Sequence, residues 1–266
     1  MRRARHSRAT GREEAIDELF TTRGLEAEPI PTGADRHFPL RPFASSIPRS
    51  DLLAGAADAS QPEATRLFRR AVEAAAKGRR QDAIVRYREL LALEPGNVVA
   101  VINLAGLLEV GGQNEEALEQ LGLCLNRSPE DPRLLVARGA LLGRLKNYPE
   151  AETDLRRAIK VRPADAAAHY TLGLVLWRKG LPAEAASELQ RAIDLRPGDA
   201  APHYYLGEAL HQAGDIGGAK ASLERAIALD ESDARPFQLL GRILDRLKRP
   251  EEARAMYERA RAARRP

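Results

Sequence analysis

Residues 166–199 read AAAHYTLGLVLWRKGLPAEAASELQRAIDLRPGD, and residues 200–233 read AAPHYYLGEALHQAGDIGGAKASLERAIALDESD. Laid one above the other, they set His169 on His203, Gly173 on Gly207, Leu176 on Leu210 and Gly180 on Gly214. The second halves follow, with Ala185 on Ala219, Leu189 on Leu223 and Ala192 on Ala226. A fixed period of this size marks a repeat architecture, in which one unit cannot bury its apolar faces alone and must stack on the next.

Working outward, the same 34-residue step divides the chain into repeats 64–97, 98–131, 132–165, 166–199, 200–233 and 234–266, without insertion or deletion. Position 20 is Ala in all six (Ala83, Ala117, Ala151, Ala185, Ala219, Ala253), and position 8 is always Ala or Gly. Position 24 is always Leu or Tyr, from Tyr87 through Tyr257. Positions 4, 7, 8 and 11 share one helical face, as do 20, 24 and 27, so each repeat carries two amphipathic stripes and reads as two antiparallel helices. Gly at position 15, replaced by Lys146 and Lys248 in two repeats, suits the left-handed residue that ends a helix. Pro at position 32 of the first four repeats stops the second helix. Small residues at 8 and 20 let the two helices approach, and the large residue at 24 fills the space beside them.

Small-8, Ala-20, Tyr/Leu-24, Ala-27 and Pro-32 on a 34-residue period resemble the tetratricopeptide repeat (TPR) family. The resemblance implies an all-α, right-handed superhelical solenoid of six antiparallel helix pairs over residues 61–266. Departures are His169 and His203 at position 4, Arg70 and Arg138 at position 7, and Glu231 at position 32. Cys124 stands at position 27, where the family has Ala, and reads as a core residue. The last repeat carries Arg261 and Ala263 where earlier ones are mostly apolar, as a terminal cap requires.

Residues 1–60 lie outside the repeat and read as a mostly irregular N-terminal tail. Thr10-x-x-Glu13, followed by Ile16, Leu19 and Phe20 and then Gly24, predicts a short amphipathic helix near 11–23. Pro29, Pro31, Pro39, Pro42 and Pro48 predict an extended segment over 29–50. Two alternatives stand for this tail: disorder, or docking of Phe38 to Phe43 or the Ile16/Leu19/Phe20 face on the array or a partner. Ser60-x-x-Glu63 with Pro62 predicts the first repeat helix to start near Gln61.

Composition narrows the function. A single Cys gives no intramolecular disulfide framework, and the longest apolar run, Val98 to Leu108, is far short of the roughly 18 residues of a membrane span. The basic start lacks an apolar stretch behind it, so a cytoplasmic protein is expected. Six Lys against 36 Arg fit a GC-rich, bacterial coding sequence. No phosphate loop, dinucleotide fingerprint, nucleophile elbow or HExxH motif is present, so no enzyme activity, catalytic residue, cofactor or metal is expected. Net charge runs +4, −5, +4, 0, −4 and +6 through the six repeats, which makes no continuous basic track and disfavours nucleic acid.

What remains is a surface. In arrays of the resembled family the concave groove is formed by positions 2, 5, 9, 12 and 13 of the first helices and binds peptides or protein segments. Carried over, the groove comprises Phe68, Val72, Val99, Ile102, Asn103, Arg133, Val136, Arg144, Tyr170, Leu174, Trp177, Tyr204, His211, Arg235, Gln238, Arg242 and Arg246. Only two of the five positions of the family's carboxylate clamp fit, through Asn103 and Arg133. The expected function is a non-enzymatic scaffold or adaptor that holds a partner segment, with the arginines favouring an acidic one. An accessory, substrate-presenting subunit of a separate enzyme is the alternative; helical-repeat RNA binding is the weaker one.

Overall fold

The computed structural model describes residues 62–263, which form twelve helices and, among the described residues, no strand. They are α1 (Glu63–Ala76), α2 (Arg80–Leu93), α3 (Val98–Val110), α4 (Asn114–Arg127), α5 (Pro132–Arg144) and α6 (Tyr148–Val161). The second half continues with α7 (Ala166–Lys179), α8 (Pro182–Leu195), α9 (Ala200–Ala213), α10 (Ile216–Leu229), α11 (Ala234–Arg246) and α12 (Pro250–Ala263). This is an all-α helical-repeat solenoid. The described residues form two compact units, one up to residue 117 and one from residue 118, with the division inside α4. The tail helix near 11–23, the segment 29–50, the capping Ser60 and the terminal Arg264 and Arg265 lie outside the described residues. Helix α1 starts at Glu63, with Pro62 before it and no side chain capping its first turn.

The turns between paired helices bear out the reading of position 15. Gly78, Gly112, Gly180 and Gly214 have φ between 70° and 88°, and Lys146 and Lys248 adopt φ of 64° and 58°. Left-handed backbone costs a residue with a Cβ about 1–2 kcal/mol, so the two lysines are held there by the helices on either side. Position 8 is small because of position 24. A Cβ added to Gly173 would lie 2.7 Å from Leu189 Cγ, and one on Gly241 would lie 2.6 Å from Tyr257 Cε1. Both approaches are inside the contact distance of real carbon atoms, so larger residues would part the helix pair.

Position 34 does work that the motif analysis did not extract. Asn97, Asp131, Asp165 and Asp233 each accept a hydrogen bond from a backbone N–H in the first turn of the next helix. Capping of this kind satisfies donors that have no partner inside the helix and is worth about 0.5–2 kcal/mol each.

In the first unit the core gathers Phe68, Tyr87, Leu90, Val101, Leu104 and Leu108. Phe68 meets Tyr87 edge-on, with ring centroids 6.1 Å apart. Asn103 Nδ2 donates to Tyr87 Oη at 3.0 Å. In the second unit the unusual polar residues are absorbed by local pairs. Arg138 donates through Nε and Nη2 to both oxygens of buried Asp154, at 2.6 and 2.8 Å. The His169 ring lies 2.7 Å from Glu188 Oε2 and 3.0 Å from the Pro163 carbonyl. His203 Nε2 lies 3.4 Å from the Pro197 carbonyl. Each position-4 histidine thus ties its helix to the loop preceding it. Cys124 is buried, and burial pushes its thiol up from the ordinary range, with nearby Asp131 adding to the shift. Among the described residues no helix is long and apolar enough to cross a membrane.

Candidate functional site

The expected groove residues divide by burial. Phe68, Ile102, Asn103, Val136 and Leu174 have buried side chains and so act as packing beneath the surface rather than as exposed contacts. In the first unit this leaves Val72 and Val99 half-buried. In the second unit Arg133, Arg144, Tyr170, Trp177, Tyr204, His211, Arg235 and Gln238 are half-buried, while Arg242 and Arg246 are exposed.

Three aromatic residues of the second unit converge on a fourth. Tyr205, buried on α9, has Tyr204 at 4.9 Å, Trp177 of α7 at 5.6 Å and Tyr170 of α7 at 6.0 Å between centroids. Tilted and edge-on arrangements of this kind add about 0.5–1.5 kcal/mol per pair beyond the area they bury. The carry-over of surface positions omitted Tyr205, because position 6 is an inward one. The adjacent pair Tyr204-Tyr205 is the sequence signal for it: on a helix the second ring is turned about 100° from the first, toward the neighbouring first helix.

Cations frame this cluster. The Arg235 guanidinium stacks 4.7 Å from the Tyr204 ring centroid and 5.9 Å from that of Tyr205. It is held by Asp233, to which Nε donates at 2.9 Å and Nη2 at 2.6 Å. Burial works against the charge of Arg235, but this carboxylate more than offsets it and the group stays protonated. Arg133 is tied in the same way to Asp131, at 3.1 and 2.7 Å. Burial raises the Asp131 carboxyl, yet the Arg133 guanidinium and N–H hold it below the ordinary range. These two arginines are therefore each paired with the aspartate that caps their own helix.

The polar edges of the cluster are unevenly satisfied. Tyr204 Oη donates to Glu208 Oε1 at 2.7 Å, and burial together with that carboxylate pushes the phenol well above its ordinary range. Arg242 Nη2 stands 4.0 Å from the same Glu208 oxygen. Arg246 Nη1 lies 3.3 Å from His211 Nε2. Trp177 Nε1 is buried and has no acceptor. Among the described residues no group of three or more His, Cys, Asp or Glu is placed to hold a metal ion. The chemistry on offer is non-covalent: ring faces, guanidinium donors and one unanswered indole N–H.

Two family models described as tetratricopeptide repeat match the sequence, one over residues 136–200 and the other over 74–141, 176–235 and 210–266. No curated protein matches significantly. Among solved structures the chain is similar to PilW, described as a widely conserved type IV pilus biogenesis factor, at 19% identity and a TM-score of 0.69, over 76% of this chain and 94% of that one. It is similar to MamA from Desulfovibrio magneticus RS-1 at 25% identity and a TM-score of 0.57, over 62% and 94% of the two chains. It is also similar to YrrB, described as a TPR protein with an unusual peptide-binding site, at 22% identity and a TM-score of 0.54, over 67% and 92%. Likeness at such identities speaks for the fold. Sequence period, left-handed turns, helix pairing and family models agree over more than half of the chain, and the chain belongs to the tetratricopeptide repeat family.

Proposed function

We propose that the exposed face of the first helices of the second unit, α5, α7, α9 and α11, holds a segment of a partner protein without covalent chemistry. The family is in general a non-catalytic interaction module, and YrrB, similar in fold, is described as having a peptide-binding site. The observation that carries the proposal is the aromatic cluster around Tyr205, half-exposed at Tyr170, Trp177 and Tyr204, beside the buried Trp177 Nε1 that lacks an acceptor. A buried donor without a partner costs about 1–3 kcal/mol, so among the described residues the indole N–H is an unmet donor at this edge of the cluster. Aromatic side chains with one polar end are the types that anchor interfaces. Arg144 and Gln238 border the candidate surface in the second unit.

Trp177 is the sole tryptophan, which makes its emission a direct report on the site. Proteins captured by the full-length chain and identified by mass spectrometry are titrated against it. The expected result is a shift in Trp177 emission and a loss of affinity of about 2 kcal/mol or more with Tyr170→Ala and Tyr204→Ala combined. A partner bound equally well by that double variant, with Trp177 emission unmoved, rejects this face as the site.

A further inference from the structure

The arginines of the second unit differ in how much of their charge is available. Arg133 and Arg235 are each committed to a capping aspartate. Arg242 and Arg246 stand four residues apart on α11, so their side chains leave the same face about 6 Å apart. The Arg242 side chain is 63% exposed, and its nearest carboxylate, Glu208 at 4.0 Å, already accepts from Tyr204. Such a contact, exposed and at the limit of an ion pair, holds the guanidinium weakly. Arg246 faces His211 Nε2 at 3.3 Å. Asp245, between the two arginines on α11, is engaged by Tyr257, whose hydroxyl donates to it at 2.7 Å. Among the described residues the 4.0 Å contact with Glu208 is thus the ion pair of Arg242, and both guanidinium groups are exposed beside Tyr204.

We propose that Arg242 and Arg246 form a two-pronged carboxylate seat, and that the segment held on this face is acidic, its carboxylate on the two guanidinium groups and a neighbouring apolar side chain against Tyr204 and Trp177. This rests on the proposed function and names the chemistry of its occupant. Guanidinium donors fit the two oxygens of a carboxylate as a fork, and such charge-assisted pairs are stronger than neutral hydrogen bonds. Glu208 and His211, both on α9, border the two arginines without committing either guanidinium to a short ion pair.

A phage library of random 12-residue peptides, panned on the full-length protein and on its full-length R242Q/R246Q and Tyr204→Ala/Trp177→Ala variants, tests this. Far-UV circular dichroism and melting of each variant check that it is folded. The expected outcome is that peptides selected by the wild type are enriched in Asp or Glu next to an apolar residue. These peptides should bind R242Q/R246Q at least about tenfold more weakly, and their affinity for the wild type should fall as salt rises. Selected peptides without acidic enrichment, or with unchanged affinity for R242Q/R246Q, overturn the carboxylate seat. If peptides that depend on Tyr204 and Trp177 show no dependence on the arginines, the face stands and the seat falls. If selected peptides ignore Tyr204 and Trp177 as well, or none is selected, both fall.

Discussion

Phe68 in the first unit and Tyr204 in the second occupy the same position of their repeats, yet one is sealed in a core and the other half-exposed on a face. Phe68 lies edge-on to Tyr87, whose hydroxyl accepts from the buried Asn103 amide, so this group is almost wholly internal. Tyr204 lies on Tyr205 with an arginine stacked over it and a carboxylate at its hydroxyl. The difference teaches that repeat position fixes which way a side chain leaves its helix, whereas the neighbouring helices decide whether solvent reaches it. The first cluster serves stability alone; the second combines packing with an open edge.

The comparison breaks most visibly at Tyr87. Tyr87→Ala empties a fully buried site and should lower stability by about 3–5 kcal/mol in urea titration. Binding at the second unit should persist under folding conditions. Alkaline titration asks the same question of both clusters. Burial pushes the Tyr87 and Tyr205 hydroxyls up to about 12, although hydrogen bonds from Asn103 and Arg235 work the other way. An unfolded tyrosine ionises near 10, so the stabilising contribution is fully present below pH 10 and is lost as pH climbs through about 12. Absorbance at the tyrosinate band should show both residues ionising late, and Tyr87→Phe or Tyr205→Phe should each remove one late step.

Tyr87→Phe sharpens the contrast further. It leaves the buried Asn103 amide without its acceptor and should cost about 1–3 kcal/mol. The matching Tyr204→Phe should cost about 1 kcal/mol or less, because Glu208, 14% exposed, still reaches water and has Arg242 at 4.0 Å. Equal losses in the two variants would show that the second cluster is as closed as the first.

Much of the fold was legible because the repeat restates each rule six times. The left-handed turn was readable from Gly at position 15, and its two lysines could be placed in the same conformation by register alone. The small residue at position 8 was readable as a close approach, now seen as Gly173 against Leu189 and Gly241 against Tyr257. The candidate surface was less legible. Tyr170, Trp177 and Tyr204 were expected on the groove, but Tyr205, the ring on which they converge, was not among the expected residues. The pairing of Arg133 and Arg235 was not legible, since a one-dimensional pattern shows the arginine at position 2 but not its fork onto the aspartate two residues earlier.

The sequence by itself determined the helix pairs, their period and their turns, because these depend on backbone conformation and on the volume of residues adjacent in the repeat. Only the tertiary structure decided which aromatic rings are sealed and which stay open. It also decided which arginines are forked onto a capping aspartate and that Trp177 Nε1 has no acceptor among the described residues. Burial and ion pairing are properties of the neighbours a side chain finds across helices, and a period of 34 constrains those neighbours without specifying what each will be.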